Sequence, residues 1–164
     1  LVVASGTLGG MAVAGRYSRR PRELKSLGAA LQMLETEIAY GANHMKEALE
    51  QVAARCDKAV SPLFRQAAAE LSIASGISAA SAWGNSLEVY YRTSALKPQD
   101  LIILRSLGSS LGISDRADQI KHLTLAMEQI KLENVKAEDE AARNVKLWNY
   151  LGFLGGLIVV LILY

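Results

Sequence analysis

Glu35 and Glu37 are the carboxylates whose spacing first suggests acid–base chemistry, since two nearby carboxyl groups can act as proton donor and acceptor. Residues two apart on a helix do not face each other, however. Two roles fit them: each pairs with a charge on a neighbouring helix, or the two dock a partner. A second concentration of polar chemistry lies at Asp115, Arg116, Asp118, Gln119, Lys121 and His122. Acidic groups at 115 and 118 suit a helix start, where the dipole favours negative charge. Arg116 offers a planar fork that can hold a carboxylate through two hydrogen bonds. This group reads as a docking surface or as an internal network fixing one helix against another. An enzyme built on Glu35, Glu37 and His122 is a third alternative, which no sequence feature requires.

The familiar catalytic signatures are missing. No GxxxxGK[ST] loop is present to cradle nucleotide phosphates, and there is no HExxH, CxxC or GxSxG. The single cysteine, Cys56, excludes an intrachain disulfide, and with only His44 and His122 beside it a zinc site is not expected. No catalytic residue, metal or cofactor is expected. His44 is expected at a helix start with its ring in solvent, and Cys56 as a small buried hydrophobe.

These residues must be carried by helices, because no stretch alternates with the period of a strand. Leu24, Leu27, Leu31, Leu34, Ile38 and Gly41 step by three and four, a seam for packing against another helix. Pro21 is expected to break the chain before that seam. Asn43 then opens a shorter helix bearing Met45, Leu49 and Val52. Ser61-Pro62 starts the third, expected to run to about Ala74, with Ser61 as its cap. Ser78 or Ser81 starts the fourth, with Trp83, Leu87, Tyr90 and Tyr91. Pro98 starts the fifth, which ends at Gly108 or Gly112. Ser114 is expected to cap the sixth, whose apolar residues include Leu123, Met127, Ile130, Ala137 and Ala141. Short loops between such segments require antiparallel neighbours.

Charge is sharply partitioned. All 18 basic and 16 acidic residues lie between Arg16 and Lys146, for a net charge of +2. The part after Lys25 is mildly acidic, which argues against nucleic acid as a partner. Residues 1–15 are apolar and rich in small side chains. Ala12-Val13-Ala14 resembles a cleavage site, but the basic residues follow the apolar run, as in a retained anchor rather than a secretory signal. Leu147 to Tyr164 is a second uncharged run. Each run holds a GxxxG spacing, Gly6 to Gly10 and Gly152 to Gly156, which lets helices approach closely in lipid, so a homo-oligomer is one expectation. Arg16, Arg19, Arg20, Arg22 and Lys25 after the first run, and Arg143 and Lys146 before the second, place the intervening part in the cytosol. The expected fold is all-α: a six-helix antiparallel bundle flanked by N- and C-terminal transmembrane helices. Its divisions are 1–15 (transmembrane), 16–22 (basic linker), 23–146 (bundle) and 147–164 (transmembrane).

Four blocks carry a family resemblance: LQMLETEIAYGANHMKEAL at 31–49, the Ala82-Trp83 pair, LGSSLGISDRADQIKHLTLAMEQI at 107–130, and NVKLWNYLGFLGGLIVVLIL at 144–163. Over its whole length the chain resembles the stage III sporulation protein AB family of endospore-forming bacteria, itself similar to the cytoplasmic domain of the type II secretion F platform protein. It departs from the family pattern after Gly41, where relatives commonly carry Thr-Pro-Leu and this chain has Asn43-His44-Met45. The resemblance implies a non-catalytic inner-membrane platform of the channel complex between mother cell and forespore, on the mother-cell side. It implies a cytosolic secretion-type ATPase, stage III sporulation protein AA, as partner, together with other membrane proteins of the channel. A membrane-anchored scaffold that never touches an ATPase is the alternative.

Overall fold

The computed structural model describes residues 18–41, 44–73, 76–112 and 115–163. Among them are six helices: α1 (Arg19–Tyr40), α2 (Met45–Arg55), α3 (Ser61–Ile73), α4 (Ala79–Tyr91), α5 (Pro98–Ser110) and α6 (Arg116–Leu163). No strand occurs among the described residues, so the all-α expectation holds. Each helix packs on the next, and the long α1–α6 pairing closes the ring.

The seam of α1 is buried as its spacing requires. Leu24, Leu27, Leu31 and Leu34 have no exposed surface. They join one core with Leu49 and Val52 of α2, Leu63 and Phe64 of α3, Trp83 and Leu87 of α4, Leu104 and Leu107 of α5, and Leu123 and Ile130 of α6. The Phe64 and Trp83 rings meet edge to face, centroids 5.5 Å apart. The Trp83 indole N–H donates to the Leu104 carbonyl at 2.8 Å, and a Cβ on Gly108 would come within 2.4 Å of the ring. Only glycine admits the indole so close to α5.

Several helix starts differ from expectation. Pro21 lies inside the first turn of α1 and does not precede the helix. The first four N–H groups of a helix have no partner within it, so proline costs nothing there. Helix α1 thus begins at Arg19, inside the stretch read as a linker. Asn43 lies outside the described residues, and His44 occupies the N-cap of α2, its backbone N–H donating to Glu47 Oε2 at 3.1 Å. The His44 ring is exposed, as expected. Ser61 is not a cap. Buried within α3, its hydroxyl donates to the Ala53 carbonyl at 2.7 Å and ties α3 to α2. Ser78, the first of the two candidates, caps α4 by accepting from the Ser81 N–H at 3.1 Å. The expected cap Ser114 and the N-terminal run 1–15 lie outside the described residues. The helix bond at the start of α6 is made by Asp115, whose Oδ1 accepts from the Asp118 N–H at 2.8 Å.

Helix α6 is a single 48-residue helix. Its first half belongs to the bundle, and from Val145 onward most of its large apolar side chains are exposed, among them Leu151, Phe153, Leu154 and Ile162. Among the described residues no helix is long and apolar enough to cross a membrane.

Candidate functional site

The most ordered polar chemistry sits where α1 enters the bundle. Arg20 is buried and donates through Nε and Nη2 to the two oxygens of Asp100, at 2.9 and 2.8 Å. Nη2 also donates to Glu133 Oε2 at 2.9 Å, and Nη1 stands 3.7 Å from Glu140 Oε2. Asp100, fully buried, accepts the Lys97 backbone N–H at 2.8 Å as well, so one carboxylate starts α5 and holds α1. The hydrogen bond to Asp100 is the main cause holding the guanidinium pKa above its ordinary value. Glu133 is held below the usual carboxylate range, first by its hydrogen bond to Lys136 and then by Arg20. Glu140 is lowered chiefly by Lys97, whose Nζ lies 2.6 Å from Oε2.

One turn further along α1, buried Glu23 accepts the Tyr90 hydroxyl and, at 2.8 Å, the Ala95 N–H. Burial, followed by the bond to Glu23, pushes the Tyr90 phenol above its ordinary value. The first turn and a half of α1 is therefore stapled to α5 and α6 by the ion pairs of Arg20 and to α4 by the hydrogen bond from Tyr90 to Glu23. Sequence reasoning missed this cluster. Arg20 sat in a basic run that invites a topological reading, and Glu133 interrupts the seam between Ile130 and Ala137. That interruption by a carboxylate was the available signal.

The residues singled out from the sequence lie mostly at the opposite end. Glu35 accepts from the Thr124 hydroxyl of α6 at 2.8 Å and from Gln32 at 2.5 Å. Glu37 points to α2, where it pairs with Arg55 at 3.0 Å. The two carboxylates thus diverge toward different helices, which does not assemble an acid–base pair. Arg116 reaches back to α1 and donates to the Gly41 carbonyl at 3.2 Å, a favourable place for a cation beside the end of a helix. Asp115, Asp118, Lys121 and His122 are exposed, and Gln119 is half-buried. Glu35, Arg116 and the start of α6 form one corner, from which Glu37 stands apart. A surface cleft lined in part by Arg19, Arg22, Glu23, Asp57 and Tyr90 includes none of these residues. No group of His, Cys, Asp and Glu side chains is placed to hold a metal ion among the described residues. Cys56 is half-buried, not fully buried as expected, and burial is the main cause raising its thiol pKa.

Fold and polar groups together define a helical bundle whose charges join helices to one another and whose last helix continues past its end. The family model for Stage III sporulation protein AB matches residues 1–164, and the chain belongs to that family. It is 38% identical over 162 residues to stage III sporulation protein AB of Bacillus subtilis (strain 168), covering 99% of this chain and 94% of the relative. A solved structure of a stage III sporulation protein AB superposes with a TM-score of 0.70 at 36% identity, covering 76% of this chain and 97% of that one.

Proposed function

We propose that this protein is a non-catalytic platform of a sporulation channel complex, which couples a cytosolic secretion-type ATPase to membrane components between mother cell and forespore. One observation carries the reading. Helix α6 is continuous from the polar corner at Arg116 to its uncharged end, so a displacement imposed at the corner reaches the far end without a hinge. Both uncharged runs, residues 1–15 and the end of α6, anchor the protein in the membrane on the mother-cell side and leave the bundle in the cytosol. The exposed side chains Leu151, Phe153, Leu154, Leu157, Ile158, Leu161 and Ile162 suit contact with lipid.

The ATPase docks at the corner formed by Asp115, Arg116, Asp118, Gln119, Lys121 and His122, with Glu35 beside it. Glu37, paired with Arg55, supports α2 next to that surface. The test is retention of the partner ATPase, a stage III sporulation protein AA, by the full chain in detergent. Retention supports the platform. Loss of the ATPase with other channel proteins still retained would favour a scaffold without ATPase contact.

A further inference from the structure

Arg20 takes the ion pairs at the start of α1, and the arginines on either side of it take none among the described residues. Arg19 is exposed and donates only a long hydrogen bond, 3.4 Å, to the Thr93 carbonyl. Arg22 is exposed and has no polar partner among the described residues. Both line a cleft of about 400 Å³ bounded by α1, the start of α3 and the end of α4.

The other charges in that cleft are not turned toward these arginines. Glu23 is buried, with one oxygen taken by the Tyr90 hydroxyl and the other by the Ala95 N–H. Asp57, on the turn between α2 and α3, accepts the Ala59 N–H through Oδ1 at 2.8 Å. Among the described residues no cation pairs with it. Ser26 and Gln66, half-buried in the cleft walls, have no hydrogen bond among the described residues. Half-buried polar groups of this kind are satisfied from outside the chain, by water or by a ligand.

Two guanidinium groups on one wall and an unpaired carboxylate on another complement a ligand that carries both signs. Guanidinium forks suit a phosphate, and a carboxylate suits the three donors of a primary ammonium. Val89, half exposed, adds an apolar edge. The level of the cleft says where such a ligand comes from. Arg20, between the two arginines, stands 3.7 Å from Glu140, and the uncharged end of α6 starts at Leu147, seven residues further on. That is about 10 Å of helix, against a headgroup layer of about 5–8 Å on each side of the hydrocarbon. Arginine stems reach along such a distance with the charge at the polar end.

We infer that this cleft binds the headgroup of a phospholipid bearing a phosphate and a primary ammonium, the phosphate held by Arg19 and Arg22 and the ammonium by Asp57. The inference rests on the membrane anchoring proposed above.

Melting of the full chain in detergent, with dioleoyl phosphatidylethanolamine or dioleoyl phosphatidylcholine added, tests this. Phosphatidylethanolamine is expected to raise the melting temperature along a saturable curve. Phosphatidylcholine, whose trimethylated nitrogen has no N–H for Asp57, is expected to need about tenfold more for half-saturation, the equivalent of one charge-assisted hydrogen bond. Arg19→Gln/Arg22→Gln is expected to weaken both lipids, and Asp57→Asn, which keeps an oxygen for the Ala59 N–H, to abolish the preference. Equal half-saturation by the two lipids, or unchanged curves in both variants, would overturn the inference. Soluble phosphoethanolamine saturating at the concentration of the lipid would overturn the lipid assignment and leave a small zwitterion as the ligand. Flotation with phosphatidylcholine vesicles checks the anchoring separately. A chain that floats but shows no headgroup preference loses the cleft site alone, whereas one that does not float loses the anchoring and the lipid site with it.

Discussion

Arg20 and Asp100 meet through two parallel hydrogen bonds, 2.9 and 2.8 Å long, with neither side chain more than 8% exposed. Eighty residues apart in the chain, they fix where α1 enters the bundle. Removing one partner leaves a buried charge without its counterpart. Arg20→Ala is therefore expected to destabilise the fold by about 3–5 kcal/mol, measured by urea denaturation. Arg20→Lys is expected to recover only part of this, because an ammonium cannot copy the two-pronged contact.

The same pair sets the minimum folding unit. A fragment 18–146 retains Arg20, whereas a fragment 23–146, the division read from the sequence, strands Asp100. The longer fragment is expected to melt cooperatively, and the shorter one at a lower temperature by an amount matching Arg20→Ala. Equal melting of the two would show that the pair contributes little.

Stability is expected to fall at both ends of the pH scale. A carboxylate held below its usual range stabilises the fold above the ordinary glutamate pKa of about 4.3, and that contribution is lost as pH falls through the lowered value. Glu133 and Glu140 are both in this state. Glu133→Gln is expected to lower stability at pH 7 and to make the acid limb shallower. Tyr90 has the opposite sign: its raised pKa stabilises the fold below the ordinary tyrosine value of about 10 and ceases to as pH rises above it. Tyr90→Phe is expected to flatten the alkaline limb in the same denaturation series.

Two glycines one helix apart should respond oppositely to alanine. On Gly108 a Cβ would strike the Trp83 ring, so Gly108→Ala is expected to cost about 1–3 kcal/mol, as overpacking does. On Gly84, inside α4, a Cβ meets nothing within 4 Å, and Gly84→Ala is expected to gain up to about 1 kcal/mol from helix propensity. Thermal melts of the two variants decide this.

The core was legible because its signal is periodic. Leu24 to Leu34 announce a buried face by spacing alone, and Leu123 and Ile130 announce its partner. The cluster around Arg20 was not legible, because its members come from residues 20, 100, 133 and 140 and nothing local shows that they converge. Pro21 and Ser61 were misread for a related reason: proline and serine each fit several positions near a helix start, and tertiary contacts choose among them. At the α6 corner, spacing identified a helix start, but it did not show that Glu35 would turn to Thr124 while Glu37 turned to Arg55.

The most direct test of the platform reading is the affinity of the detergent-solubilised full chain for its partner ATPase, wild type against Lys121→Glu. Lys121 is exposed at the α6 corner, away from the core, so the substitution is expected to leave the melting temperature unchanged. Saturable binding is expected, weakened by about 1–3 kcal/mol in the variant, as hot-spot changes weaken interfaces. No saturable binding by the wild-type chain, or equal affinity in the variant, would contradict docking of the ATPase at this corner.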